Sequence, residues 1–392
     1  MSQRVYVAGV GMTAFRKPTE SPSYIELGQA AVREALADAG IGYEAVQAAY
    51  AGYVYGDSGC GQAVLYGVGR TGIPIVNVNN NCSTGSNALF LARQAVAHGI
   101  ADCVLAVGFE QMTPGALQEV YTDRVSPFGH LLDRARDVQG ESEAPVALQL
   151  FGGAGADYQR TYGVADETFA MVSVKARRHA AENPRAIFRK PVTVEEVLAT
   201  PKLFGPLTRL QCCPPTCGGA AAVLVSESFA KRHGLRTDVL VAGQALATDP
   251  AAAFEHGMTR LVGYDMTRSA AGAVYEQAGT GPDELDAVEL HDCFTSNEII
   301  TYEALGLCPP GGAERFIRDG DNTYGGRVVT NPSGGLLSKG HPLGATGLGQ
   351  CAEMVWQLRG TAGPRQVEGA RAVLQHNLGL GGACVVTLYR KA

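Results

Sequence analysis

Four short stretches carry side chains able to do chemistry. In NVNNNCSTGS (77–86), Cys82 closes an Asn-rich turn directly ahead of Ser83, Thr84 and Ser86. These residue types start helices, because their side chains take up the free N–H groups of a first turn. A thiol at that point faces the positive end of a helix dipole, which lowers its pKa and favours thiolate. Cys82 is therefore a candidate nucleophile, the competing reading being a small thiol that fills space. In HDCFTSNE (291–298), His291, Asp292 and Cys293 close an apolar run, where α/β enzymes often keep reactive groups; a capped strand end is the alternative. In GGLLSKGHPLGATG (334–347), His341 lies between glycines that let a ligand approach the backbone, and Pro342 suits a first helical position. In HNLGLGG (376–382), backbone N–H groups such as that of Gly379 can point at an anionic oxygen, although a close-packed strand turn has the same composition.

The four stretches make one coherent site. Cys82 is the nucleophile, His341 the base that takes its proton, and Cys293 a second thiol able to move protons. His291 and the backbone of Gly379 are candidate oxyanion donors. A lone Cys/His pair would suggest hydrolysis, whereas a second reactive thiol points to acyl transfer onto a thiol acceptor.

The elements that must position these groups repeat along the chain. Residues 31–54 parallel 270–294: an Ala-rich helix, an Ala-Gly stop, a polar turn and an apolar strand. Ahead of them, 4–13 parallels 239–248, a strand with a Gly turn. The Cys82 helix finds its counterpart in 340–360, and each of those helices is followed by an apolar strand, DCVLAVGFE or RAVLQHNLG. Strands alternating with helices imply mixed α/β sheets covered by helices, in two similar halves whose loops meet at the site. Residues 120–219 break the pattern and are expected to be an inserted region over the site. The expected division is 1–119 for the first half, 120–219 for the insertion, 220–238 for the end of the first half and a linker, and 239–392 for the second half.

Composition narrows the function classes. Of 392 residues, 46% are hydrophobic and 18% charged, as in a compact globular enzyme. A net charge of −6 gives no general pull toward nucleic acid or anionic membrane. No run approaches the ~18 apolar residues of a membrane span. No secretory signal is visible, LYRKA is not a peroxisomal address, and a reducing cytoplasm is the expected home of ten free thiols. Cys212, Cys213 and Cys217 lack zinc-ligand spacing and are expected to be packing or loop thiols, and no metal is expected. Between 175 and 190 the chain carries Lys175, Arg177, Arg178, Arg185, Arg189 and Lys190 against one acid, Glu182. That is either a solvated helix face or, for a polyanionic ligand, a phosphate contact.

These stretches, together with VGYDM, TYEALGLCP and GDNTYGG, resemble the thiolases through nearly the whole chain, specifically the sterol carrier protein X type. The resemblance implies a five-layered αβαβα fold, a loop domain that binds coenzyme A, and a homodimer or homotetramer. It implies acyl-CoA and CoA as substrates with no permanently bound cofactor, and Lys175, Arg177 and Arg178 as candidate CoA contacts. Residue by residue, Cys82 matches the acyl-accepting cysteine and His341 the histidine of the Gly-His-Pro loop. His291 takes the place of an Asn that holds an oxyanion-hole water. Most thiolases carry an acid/base cysteine in a Cys-x-Gly loop; here the aligned residues are Asn377-Leu378-Gly379, so Cys293 is expected to take that role and Cys384 to be core. The implied reaction is 3-oxoacyl-CoA cleavage by CoA. A carbon–carbon lyase on the same fold and a noncatalytic lipid or acyl-CoA carrier are the rivals. The chain ends after the thiolase region, so a fused sterol carrier domain is expected to be missing.

Overall fold

The structure is a computed structural model that describes residues 3–115 and 121–392. Its strands are β1 (Val5–Met12), β2 (Ala48–Gly52), β3 (Ile75–Val78), β4 (Cys103–Glu110), β5 (Lys202–Phe204), β6 (Leu207–Thr208), β7 (Gly218–Ser226), β8 (Val239–Ala247), β9 (Ala287–Glu289), β10 (Val329–Thr330), β11 (Ala372–Gly379) and β12 (Ala383–Lys391). β5 and β6 form a hairpin of their own. The other ten run in the order β10-β9-β11-β12-β8-β1-β7-β4-β2-β3.

This order is one five-stranded pattern used twice. In the first half β3, β2 and β4 are parallel, then β7 and β1 follow antiparallel. In the second half β10, β9 and β11 are parallel, then β12 and β8 follow antiparallel. The two sheets meet at a single residue pair, Tyr6 opposite Leu240. The repeat read in the sequence is thus a repeat of topology.

Three apolar cores separate the layers. The helix Tyr24–Ala39 opens with a Ser23/Glu26 capping box and ends on left-handed Gly40. Its buried Ala31, Val32 and Ala35 pack on the outer face of the first sheet. The helix Tyr264–Ala278 covers the outer face of the second sheet. Between the sheets lie the helices Thr84–Ala97 and Thr346–Arg359, whose Ala88, Leu89, Leu348 and Val355 share one core with both halves. The layers therefore run helix, sheet, helix, sheet, helix.

The two central helices touch at their first turns because the residues there are small. A Cβ on Gly85 would lie 2.7 Å from the Gly344 carbonyl oxygen, and one on Gly347 would meet Ser86. Glycine at both points lets the backbones approach closely and brings the Cys82 and His341 loops together.

The insertion packs on the second half. Leu150, Phe151 and Phe169 of the helices Val146–Tyr162 and Asp166–Ala180 share a core with Ile299, Ile300 and Tyr302. The expected division at 119/120 lies outside the described residues, and the one at 219/220 falls inside β7. No helix among the described residues is long and apolar enough to cross a membrane.

Candidate active site

The four loops converge where the central helices begin. Asn81 adopts a left-handed backbone, φ 52°, which asparagine tolerates better than most residues, and so turns the chain into the helix that begins just after Ser83. Cys82, at this corner, is 9% exposed. Its Sγ and one ring nitrogen each of His291 and His341 lie within 4.8 Å of one another. The donor set would suit a soft metal ion, and equally a thiol nucleophile between two imidazoles.

The expectation of a lowered thiol pKa is corrected. Burial pushes the Cys82 thiol up to about 12, with Glu110 adding to the effect, and the backbone N–H groups of Leu380 and Cys82 only partly oppose it. Desolvation outweighs these hydrogen bonds here. Cys82 rests as a neutral thiol, and its activation requires a base.

His341 has the geometry of that base. Its Nδ1 lies 2.7 Å from Thr346 Oγ1, and the Thr346 hydroxyl donates to Pro342 O at 3.0 Å. The hydroxyl is committed as a donor, so it accepts from Nδ1–H and the lone pair sits on Nε2. That Nε2 is buried without a hydrogen-bond partner among the described residues. Burial, followed by nearby Lys339, lowers the His341 pKa to about 3, which keeps the ring neutral. The His291 ring meets it edge-on, with centroids 5.0 Å apart at 83°. Burial and the neighbouring His341 and His376 hold His291 far below its ordinary pKa, so it too is neutral.

Cys293 follows on the loop between β9 and the helix Thr295–Ala304 and is 4% exposed. Burial, then Cys213, Cys82 and Asp292, raise its thiol well above the usual value. Cys213, expected as a packing or loop thiol, is its direct neighbour, donating its backbone N–H to Cys293 O at 2.9 Å. Gly379 ends β11 tight against the nucleophile loop, where a Cβ would run into Asn80 O and Ser83 Oγ. The backbone group that most lowers the Cys82 thiol pKa belongs to the next residue, Leu380. Cys384 lies buried in β12, with Sγ 3.6 Å from Thr267 Oγ1.

Glu110 was not singled out in the sequence, although an acid closing the apolar run DCVLAVGFE is a visible signal. Fully buried, it accepts N–H groups from Val54 at 3.2 Å, Tyr55 at 3.1 Å and Gly344 at 2.8 Å, tying the His341 loop to the first sheet. Burial raises its pKa to about 7. Asp292, likewise buried, receives Leu336 N–H at 2.7 Å, and burial followed by the charge of Glu298 raises it to about 8.

The basic stretch divides. Lys175 as a phosphate contact is corrected: it is 4% exposed and ion-paired with fully buried Glu298, with Thr330 Oγ1 at 2.6 Å and Tyr302 OH at 3.1 Å. An ammonium so engaged is not free for a ligand. Arg177 stacks its guanidinium over Phe188 at 4.2 Å, and Arg178, exposed, donates to Thr323 Oγ1 at 2.8 Å. Arg185 pairs with Glu34. A surface pocket of about 390 Å³ between Tyr264, Arg268, Cys308 and Arg327 shares no residue with the Cys82 cluster.

The sequence and fold match those of known proteins. Residues 5–228 match the family model "Thiolase, N-terminal domain", and residues 252–389 match "Thiolase C-terminal domain-like". The chain belongs to the thiolase family. It is 55% identical to "Sterol carrier protein 2" of Gallus gallus, over 99% of this chain and 72% of that protein. Among solved structures it resembles the "Ltp2-ChsH2(DUF35) aldolase", with a TM-score of 0.84 and 27% identity over 99% of this chain and 98% of the other. The human mitochondrial 3-ketoacyl-CoA thiolase in complex with CoA has the same fold, with a TM-score of 0.74 and 17% identity over 100% and 98% of the two chains.

Proposed function

We propose that the protein is a 3-oxoacyl-CoA thiolase working in the degradative direction. The observation that carries this reading is a buried, neutral Cys82 thiol grouped with His341, whose Nε2 has no hydrogen-bond partner among the described residues. As Cys82 attacks C3 of the substrate, His341 Nε2 takes the thiol proton. The C2–C3 bond then breaks and leaves the acyl group on Cys82. Acetyl-CoA, or propionyl-CoA from a branched chain, departs as an enolate that Cys293 protonates at C2. Cys293, now a thiolate, takes the proton of an incoming CoA thiol. The CoA sulfur attacks the acyl-cysteine, and His341 returns its proton to Cys82.

His291, beside His341, is the donor for the enolate oxygen. The N–H groups of Cys82 and Gly379 are the candidates for the tetrahedral oxyanion, each such donor contributing about 2.7–4 kcal/mol. Arg177 and Arg178 are the remaining candidates for the CoA phosphates. CoA is a substrate here, with no resident cofactor called for. β3 is an edge of the long sheet with Val76 exposed, which offers a strand for pairing with a second copy in a homodimer, or a homotetramer built from it.

The likeness to an aldolase favours a second reading, a carbon–carbon lyase on the same fold. The two differ in product. The purified protein, given CoA and a panel of 3-oxoacyl-CoA thioesters, is expected to yield two acyl-CoA products by mass analysis. A free aldehyde or ketone from a 3-hydroxyacyl-CoA, with no CoA consumed, would establish the lyase instead.

A further inference from the structure

Asn377 stands where the resemblance expects a catalytic cysteine, and it cannot exchange protons. It is nevertheless fully buried on β11 with both ends of its amide engaged. Nδ2 lies 3.2 Å from Cys82 O and 3.0 Å from His291 Nδ1. A backbone carbonyl can only accept, so the group facing it must be the NH₂ end. The same NH₂ then requires a lone pair on His291 Nδ1, which leaves the ring proton on Nε2.

The other end of the amide gives the same answer independently. Asn377 Oδ1 lies 2.8 Å from Ser86 Oγ, and Gln375 Nε2 lies 2.7 Å from that same Oγ. Gln375 cannot turn around, because its Nε2 also faces Gly347 O at 2.7 Å and its Oε1 receives Tyr389 OH at 2.6 Å. Ser86 therefore accepts from Gln375 and donates to Asn377. The chain Tyr389, Gln375, Ser86, Asn377, His291 runs in one direction, and the four residues behind His291 are each 0% exposed. Two backbone carbonyls, of Gly347 and Cys82, lock it. Buried networks satisfied at every link hold one orientation.

We propose that Asn377 is a positioning residue that fixes His291 as the Nε2–H tautomer. His291 then presents a donor to the substrate oxygen, while Thr346 fixes His341 as the acceptor. One neutral imidazole gives and its neighbour takes. The same lock keeps the cluster of Cys82, His291 and His341 from capturing a soft cation, because a protonated nitrogen has no lone pair to coordinate. The catalytic part of this inference rests on the thiolase reading; the tautomer does not.

The test is Asn377→Asp in the full chain. A carboxylate accepts from Nδ1–H, so it reverses the His291 tautomer and frees Nε2 as a ligand. Nitrogen-15 NMR of ring-labelled histidine is expected to show Nε2 protonated in the parent and Nδ1 protonated in the variant. Turnover should fall by about 10²–10⁴-fold, the range for a lost oxyanion donor or a reversed histidine tautomer, with KM for CoA changed less than about twofold. Cd²⁺ should bind the variant at least about tenfold more tightly, with a thiolate charge-transfer band that disappears when Cys82 is also replaced by Ala. Should Asn377→Asp fail to fold, Asn377→Ala removes the donor to His291 Nδ1 altogether and is expected to mix the two tautomers. A parent enzyme with Nδ1 of His291 protonated, or an Asn377→Asp variant with unchanged tautomer and Cd²⁺ affinity, would overturn the assignment. An intact tautomer lock without thiolase turnover would leave the lock standing and refute the function instead.

Discussion

Replacing Lys175 by Met separates a structural lysine from a ligand-binding one. In the folded chain its ammonium meets Glu298, and neither side chain is exposed beyond 4%. The variant keeps the apolar stem and removes the charge, leaving Glu298 buried without its cationic partner. Breaking a buried pair from one side costs about 3–5 kcal/mol, most of it the penalty of the stranded charge. At roughly 2 °C per kcal/mol for a chain of this size, thermal unfolding should move down by about 6–10 °C. The double variant Lys175→Met/Glu298→Gln should recover at least half of that loss, since no charge is left stranded. Calorimetry of the three proteins measures both quantities, and steady-state kinetics should give a KM for CoA within about twofold of the parent. A shift under about 2 °C together with a tenfold rise in that KM would refute the structural role and return Lys175 to the phosphate site.

Other outcomes follow from the same geometry. Charge reversal at Arg177 or Arg178 should raise the KM for CoA and make it more salt-sensitive, and unchanged CoA kinetics in both variants would assign the stretch to structure. Thr346→Val removes the acceptor that fixes His341 and should lower kcat up to about 10²-fold with little change in KM; a near-parental kcat would show that the tautomer is set elsewhere. Cys293→Ala should stop thiolysis while Cys384→Ala keeps it, and the reverse result would move the proton-transfer role to Cys384. Glu110, held at about 7, and Asp292, held at about 8, are both raised above their unfolded values, so the folded chain binds the extra protons. Their contribution to stability is fully present below pH ~4 and is lost as pH rises through 7 to 8. Denaturant unfolding should show that decline, and Glu110→Gln should flatten its lower part; an undiminished slope in the variant would acquit Glu110.

What the sequence made legible is what local rules control. The doubled strand-helix pattern, the helix start beyond Cys82 and the glycines around His341 depend on neighbours within a few residues. Contacts between distant residues were not legible. Ser86 and Asn377 are 291 positions apart, so nothing in HNLGLGG announces that its Asn orients a histidine. Lys175 shares its stretch with solvent-facing Arg178, and only the tertiary packing shows which of the two is inside. The Cys82 pKa went astray for the same reason: a helix start is visible in sequence, whereas the burial that overrides it is not.

The central claim is that Cys82 carries the acyl group. The direct measurement is intact-mass and peptide mapping after the protein is mixed with a 3-oxoacyl-CoA and no free CoA. One acyl adduct is expected, on the peptide holding Cys82, lost on addition of CoA and absent from Cys82→Ala. An adduct confined to another residue, or turnover that survives Cys82→Ala, would contradict it.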